Sequence, residues 1–91
     1  MSAARERLLD VSALEAPEPL FAALDAVDAL GRGEYLRLRH RREPHPLYAH
    51  LLERGCAWRV LDARLGAYEA LIWRNDDACA AAACAAPEED G

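Results

Sequence analysis

Ala16-Pro17-Glu18-Pro19-Leu20 and Glu43-Pro44-His45-Pro46-Leu47 decide the fold, because each sets two prolines one residue apart just ahead of a periodic apolar segment. Proline lacks an N–H and suits only the first turn of a helix, where that N–H has no intrahelical partner anyway. Each stretch therefore predicts a helix start. After the first, Leu20, Ala23, Leu24, Val27 and Leu30 recur at helical spacing, with Asp25 and Asp28 on the wet side and Gly31 and Gly33 as the stop. Glu18 sits where a negative charge favours the helix dipole. After the second, Leu47, Tyr48, Leu51 and Leu52 lead to Gly55, a natural residue just past a helix end.

Strands fill the intervals. Leu8, Leu9 and Val11 form a short apolar run before the first helix. Tyr35-Leu36-Arg37-Leu38-Arg39 alternates leucine with arginine, the period of a strand with one buried face. Residues 56–61 read as a third strand, with Trp58 and Val60 on one face. Residues 68–74 read as a fourth, joined to the third by a turn at Leu65-Gly66. The order βαβαββ predicts an α+β two-layer sandwich, with two helices on one face of a four-stranded mixed sheet. A parallel first pair with a right-handed crossover is followed by an antiparallel pair. Leu9, Val11, Leu24, Val27, Leu36, Leu38, Leu51 and Val60 are expected inside. The second sheet face is expected to be partly open, presenting Tyr35, Arg37 and Arg39. Residues 1–6 read as a flexible N-terminus and 7–75 as the domain. Residues 76–91, alanine-rich with an acidic end, read as a low-complexity disordered tail, because they hold nothing large to bury.

Composition narrows the function. The 91 residues make one domain, and the net charge of −5 comes from 16 acidic and 11 basic residues. Such a chain is repelled by a phosphate backbone, so no nucleic-acid partner is expected. Every cation is arginine, which excludes lysine Schiff-base chemistry. No apolar run is long enough to span a membrane, and no secretory signal opens the chain. Three cysteines at irregular positions do not form a disulfide framework, and a reducing cytoplasm is the expected compartment.

The segment from Leu9-Asp10 through Ala16-Pro17-Glu18-Pro19 resembles the opening of TusA/SirA-like proteins, where a strand ending in Leu-Asp precedes a Cys-Pro-x-Pro helix start. The Gly-x-Gly-Glu turn at Gly31 to Glu34, the leucine-rich strand, the Pro-led second helix and the final hairpin follow in the same order. The likeness covers about residues 7–74 and is strongest to an uncharacterised branch with an Arg/His-Glu/Asp-Pro-x-Pro-Leu segment, here Arg42 to Leu47. It implies hemerythrin-like and nitrogen-oxide-related proteins as context. The chain departs from the pattern at Ala16, where the sulfur carriers place their thiol. A methyl group cannot become a thiolate or a persulfide, so sulfur relay does not carry over.

Other constellations are weak. His40, His45 and His50 lack the three- or four-residue spacing of helical metal ligands, and no metal or other cofactor is expected. Cys79 and Cys84, five apart, lack the spacing of zinc or redox sites and read as exposed tail thiols; Cys56 reads as a small core or edge residue. Arg37, Arg39, Arg41 and Arg42 form a basic stretch in an acidic chain, and arginine matches carboxylate or phosphate. No Ser-His-Asp spacing or glycine-rich phosphate loop is present. The reading is a non-catalytic module for a protein partner or a small anionic ligand, using Pro17, Glu18, Pro19, Arg39, Arg42, Glu43 and His45. The alternative is a sulfur-transfer or redox protein with its cysteine relocated to Cys79, Cys84 or Cys56, and a third class is a metal or haem accessory using His40, His45 or His50.

Overall fold

A computed structural model describes residues 3–85. Four strands, β1 (Arg5–Asp10), β2 (Glu34–His40), β3 (Cys56–Asp62) and β4 (Tyr68–Arg74), build one sheet. They interleave with helices α1 (Glu18–Asp28) and α2 (His45–Glu53), and a third helix, α3 (Ala78–Cys84), follows β4. The spatial order is β1-β2-β4-β3. β1 lies parallel to β2, and β4 runs antiparallel to both of its neighbours. The α+β class and the βαβαββ order are therefore as the sequence implies.

The paired prolines sit in the first positions of α1 and α2, as predicted. Gly55 ends α2 at φ 69°, a conformation open to glycine at little cost. Both helices return from β-strands that run in one direction, so they lie parallel. Arg54 and Asp28 pair at 2.9 Å and tie their C-terminal ends together. Their N-terminal ends are left to form a site.

Leu36, Leu38, Leu47, Leu51, Tyr68 and Ile72 lie almost wholly out of solvent between these helices and the sheet. Of the residues expected inside, Val11, Leu24, Val27, Leu36, Leu38 and Leu51 are buried, and Leu9 packs half-buried at the margin. Val60 is the exception, 36% exposed. It lies on edge strand β3 beside an irregularity between Val60 and Asp62, whereas Trp58 two residues earlier stacks on Tyr48 at 4.9 Å.

The two chain ends differ from the sequence reading. β1 begins at Arg5, inside the segment read as flexible, because Arg5 pairs with Glu34 and its N–H donates to the Gly33 carbonyl. Residues 78–84, read as tail, form α3. Asp77 caps it, accepting from the Ala80 N–H at 3.0 Å and, through its other oxygen, from the Gly33 N–H at 2.6 Å. Ala80 and Cys84 are fully buried. They lie on the face carrying Arg37, Arg59 and Leu71, opposite α1 and α2, and Arg59 Nε donates to the Cys84 carbonyl at 2.8 Å. Small side chains suffice here because a helix of alanine and cysteine approaches the sheet closely. The second face is thus partly covered, and residues 86–91 of the expected tail lie outside the described residues. No helix among the described residues is long and apolar enough to cross a membrane.

Candidate functional site

Where β1 and β2 end, the chain turns back into α1 and α2. The Val11 N–H donates to the Arg39 carbonyl, and Asp10 Oδ1 accepts from the Ser12 N–H at 2.9 Å, starting the turn toward α1. The Ala16–Pro17 peptide is cis. Arg41 spans the two loops: its guanidinium donates to the Leu14 carbonyl at 3.3 Å, and its own carbonyl accepts from the Gly66 N–H in the β3–β4 turn.

Between the two helix starts lies a groove of about 340 Å³. Leu14, Ala16, Pro17, Pro19 and Leu20 form the α1 wall, and Pro44, Pro46 and Leu47 the α2 wall. The polar lining is His40, Arg41, Arg42 and Glu43. In α1, the N–H of Glu18 donates to the Glu15 carbonyl, and those of Leu20 and Phe21 to Pro17. In α2, the N–H of His45 donates to Glu43 and that of Leu47 to Pro44. The four prolines supply none. Through these positions both helix starts spend their backbone donors internally, so hydrogen bonds into the groove come from side chains.

His40 closes the core-facing alternation of Leu36 and Leu38 and is buried, with 8% exposed. Its Nδ1 accepts from the Arg41 N–H at 2.7 Å and lies 3.4 Å from the Arg42 nitrogen. The neutral ring therefore carries its proton on Nε2. Burial first, then the Arg41 and Arg42 charges, hold its pKa below the usual histidine value, with Asp10 opposing. This fixes a pH dependence. Unfolded, the ring titrates near about 6.5. As pH falls, the unfolded chain takes the proton first, so this contribution to stability is complete above about pH 6.5 and is lost as pH falls toward the folded pKa. His40→Asn offers a carboxamide oxygen to the Arg41 N–H without the titration. Urea midpoints compared at about pH 7.5 and about pH 5.5 should fall less for His40→Asn than for the natural chain; equal slopes would remove His40 from the account.

Glu43 is held from within. Tyr48 donates its one hydroxyl proton to Glu43 Oε2 at 2.9 Å, so the contact of 2.8 Å between the tyrosine hydroxyls must be donated by Tyr68. Burial, followed by these hydrogen bonds, pushes the Tyr48 pKa far up, so the chain from Tyr68 to Glu43 stays protonated as written. It pins the Glu43-Pro44 turn to the sheet.

The residues singled out in the sequence divide. Pro17, Pro19, Arg42 and Glu43 line the groove. Glu18 is exposed on the first turn of α1 and His45 on that of α2, with His45 Nε2 3.7 Å from Glu43 Oε1; neither is in the lining. Arg39 belongs elsewhere. Strand alternation turns it away from the His40 face, and it lies 3.8 Å from Glu69. Arg37 pairs with Glu69 and, at 2.9 Å, with Glu6. The basic stretch is therefore two groups: Arg37 and Arg39 neutralised on the second face, Arg41 and Arg42 at the groove. Among the described residues neither Arg41 nor Arg42 has a carboxylate ion-pair partner. Leu14 and His40 join the site without having been chosen for it, and Arg41 joins it from the basic stretch; alternation through Leu36 and Leu38 was the signal for His40.

The histidines point to separate places, and among the described residues no group of three or more His, Cys, Asp or Glu side chains could hold a metal ion. Cys56 and Cys84 are buried, Cys79 is exposed, and none lines the groove. Residues 8–74 match the model of a family described as an uncharacterized conserved protein, DUF2249. No curated protein and no solved structure matches the chain.

Proposed function

We propose, since the chain belongs to the DUF2249 family over residues 8–74, that it is a non-catalytic binding module whose groove between the α1 and α2 starts receives an anionic partner. The observation that carries this reading is the juxtaposition of an apolar groove with two arginines, Arg41 and Arg42, that have no carboxylate partner among the described residues, in a chain of net charge −5. Six other arginines, Arg7, Arg37, Arg39, Arg54, Arg64 and Arg74, each have one; Arg5, Arg32 and Arg59 have none among the described residues and lie outside the groove lining. Apolar clefts with a few convergent polar groups are the usual form of a small-molecule site.

The likeness to sulfur carriers fits this reading in a modified form. The position of their thiol is Ala16, which lines the groove, so the surface remains while the nucleophile is gone. Relocation of the thiol has less support. Burial pushes the Cys84 thiol up to about 11 and also raises Cys56, which suppresses the reactive thiolate, while the exposed Cys79 lies outside the groove lining.

Amide NMR titration with a panel of small carboxylates, phosphates, amines and alcohols tests the reading. Shifts concentrated on residues 14–20 and 40–47 are expected, and shifts confined elsewhere would refute it. Arg42→Glu should weaken binding of an anionic hit by roughly tenfold at low salt, and by less at about 1 M salt, where the Debye length is only about 3 Å.

A further inference from the structure

Resting on that reading, we infer that the groove selects an apolar monocarboxylate, with the carboxylate on Arg42 and the hydrocarbon body against Leu14, Leu20 and Leu47. Three observations narrow the class. The first concerns donors. Phosphate sites at helix starts rely on unsatisfied backbone N–H groups, and here the first-turn N–H groups of α1 and α2 are either bonded within the turn or replaced by proline. What remains, beside the His40 Nε2–H, is guanidinium, whose planar fork fits one carboxylate with two parallel hydrogen bonds.

The second is charge. Glu43 lies in the lining beside Arg42, held by Tyr48, so the site tolerates one negative charge better than two. A cationic ligand would instead face Arg41 and Arg42 together. The third is size and character. About 340 Å³ lies at the low end of ligand pockets, roughly 300–1,000 Å³. Most of the lining is leucine, proline and alanine, which reward hydrocarbon and leave a small hydrophilic anion without a partner.

The test uses the full chain and matched probes: octanoate below its micellar range, octylammonium, octanol, acetate and inorganic phosphate, each followed by amide shifts and calorimetry. Octanoate should bind roughly tenfold or more tightly than any other probe, with shifts at residues 14–20 and 40–47. Arg42→Gln should cost octanoate about tenfold and leave octanol unchanged, and Arg42→Lys should recover part of the loss. Circular dichroism of each variant excludes unfolding as the cause. If octanol or octylammonium matches octanoate at the groove, the carboxylate assignment falls while the groove remains a binding site. If inorganic phosphate binds best, the assignment also falls, and the donor argument with it. If no probe moves the groove residues, the binding reading falls together with this inference.

Discussion

Replacing Leu51 by alanine should lower the stability of the folded chain by about 3–4 kcal/mol, within the range for fully buried leucines. Leu51 is 0% exposed and sits on the inner face of α2, in the cluster with Leu36, Leu47, Tyr68 and Ile72. The substitution removes buried methyl groups and leaves a cavity that rigid neighbours fill only in part. A domain of this length has in total roughly 5–14 kcal/mol, at about 0.05–0.15 kcal/mol per residue. The midpoint of thermal unfolding should therefore fall by about 12–30 °C, at about 4–8 °C per kcal/mol. The neighbouring residue is the control. Leu52 is 67% exposed, and Leu52→Ala should change stability by no more than about 0.5 kcal/mol. Urea denaturation of both variants checks the pair. Equal losses at Leu51 and Leu52 would mean that α2 is rotated relative to the sheet, and the groove walls set by Pro46 and Leu47 would have to be redrawn.

That contrast marks how far periodicity reaches. Leu47, Leu51 and Leu52 all continue the apolar run of α2, and sequence alone gives no reason to leave Leu52 in water. The paired prolines were more informative, since stereochemistry confines them to a helix's first turn whatever the surroundings. They located both helix starts and, with them, the two walls of the groove. The alternation of β2 was legible too, and taken one step further it puts His40 on the core face. Grouping Arg39 with Arg42 ignored that same alternation. Their separation depends on Glu6 and Glu69, which come from other strands and cannot be paired with β2 before the register is known. Val60 differs for a related reason: its alternation is correct, but it sits on the edge strand beside an irregularity that is visible only once β3 is paired with β4. The third helix left the faintest trace. A run of alanines has no contrast between faces, so no moment shows which side is buried. Two hints existed. Asp77 is a good helix cap, and β4 is apolar on both faces, with Leu71 opposed to Ala70 and Ile72.

Ala80→Glu isolates the docking of that helix from its formation. Position 80 is the third helical residue after the Asp77 cap, where glutamate is compatible with the helix and often reinforces the cap. Its side chain, however, would enter a fully buried site against the sheet. An unpaired carboxylate there costs several kcal/mol, more than a short helix gains by docking, so α3 should leave the sheet instead. The loss is then capped at the docking free energy. Uncovering Leu71 together with Ala80 and Cys84 sets that at about 2–3 kcal/mol, roughly the burial of one large aliphatic side chain with small additions. The sharper readout is chemical. In the docked state burial pushes the Cys84 thiol up to about 11 despite the nearby Arg59 and Arg37. At about pH 8 only about one thiol in a thousand is ionised, whereas an exposed cysteine of pKa about 8.5 is roughly one quarter thiolate. Because the thiolate of lower pKa is also the weaker nucleophile, Cys84 should react with a disulfide reagent at least about tenfold faster in Ala80→Glu than in the natural chain, before counting the gain in access. Mass spectrometry of the labelled peptides separates it from Cys79, whose exposed position makes it the reference within the same helix. Unchanged protection of Cys84 in a variant that remains folded would show that α3 holds the thiol without being seated through Ala80, and the packing of the second sheet face would need another anchor.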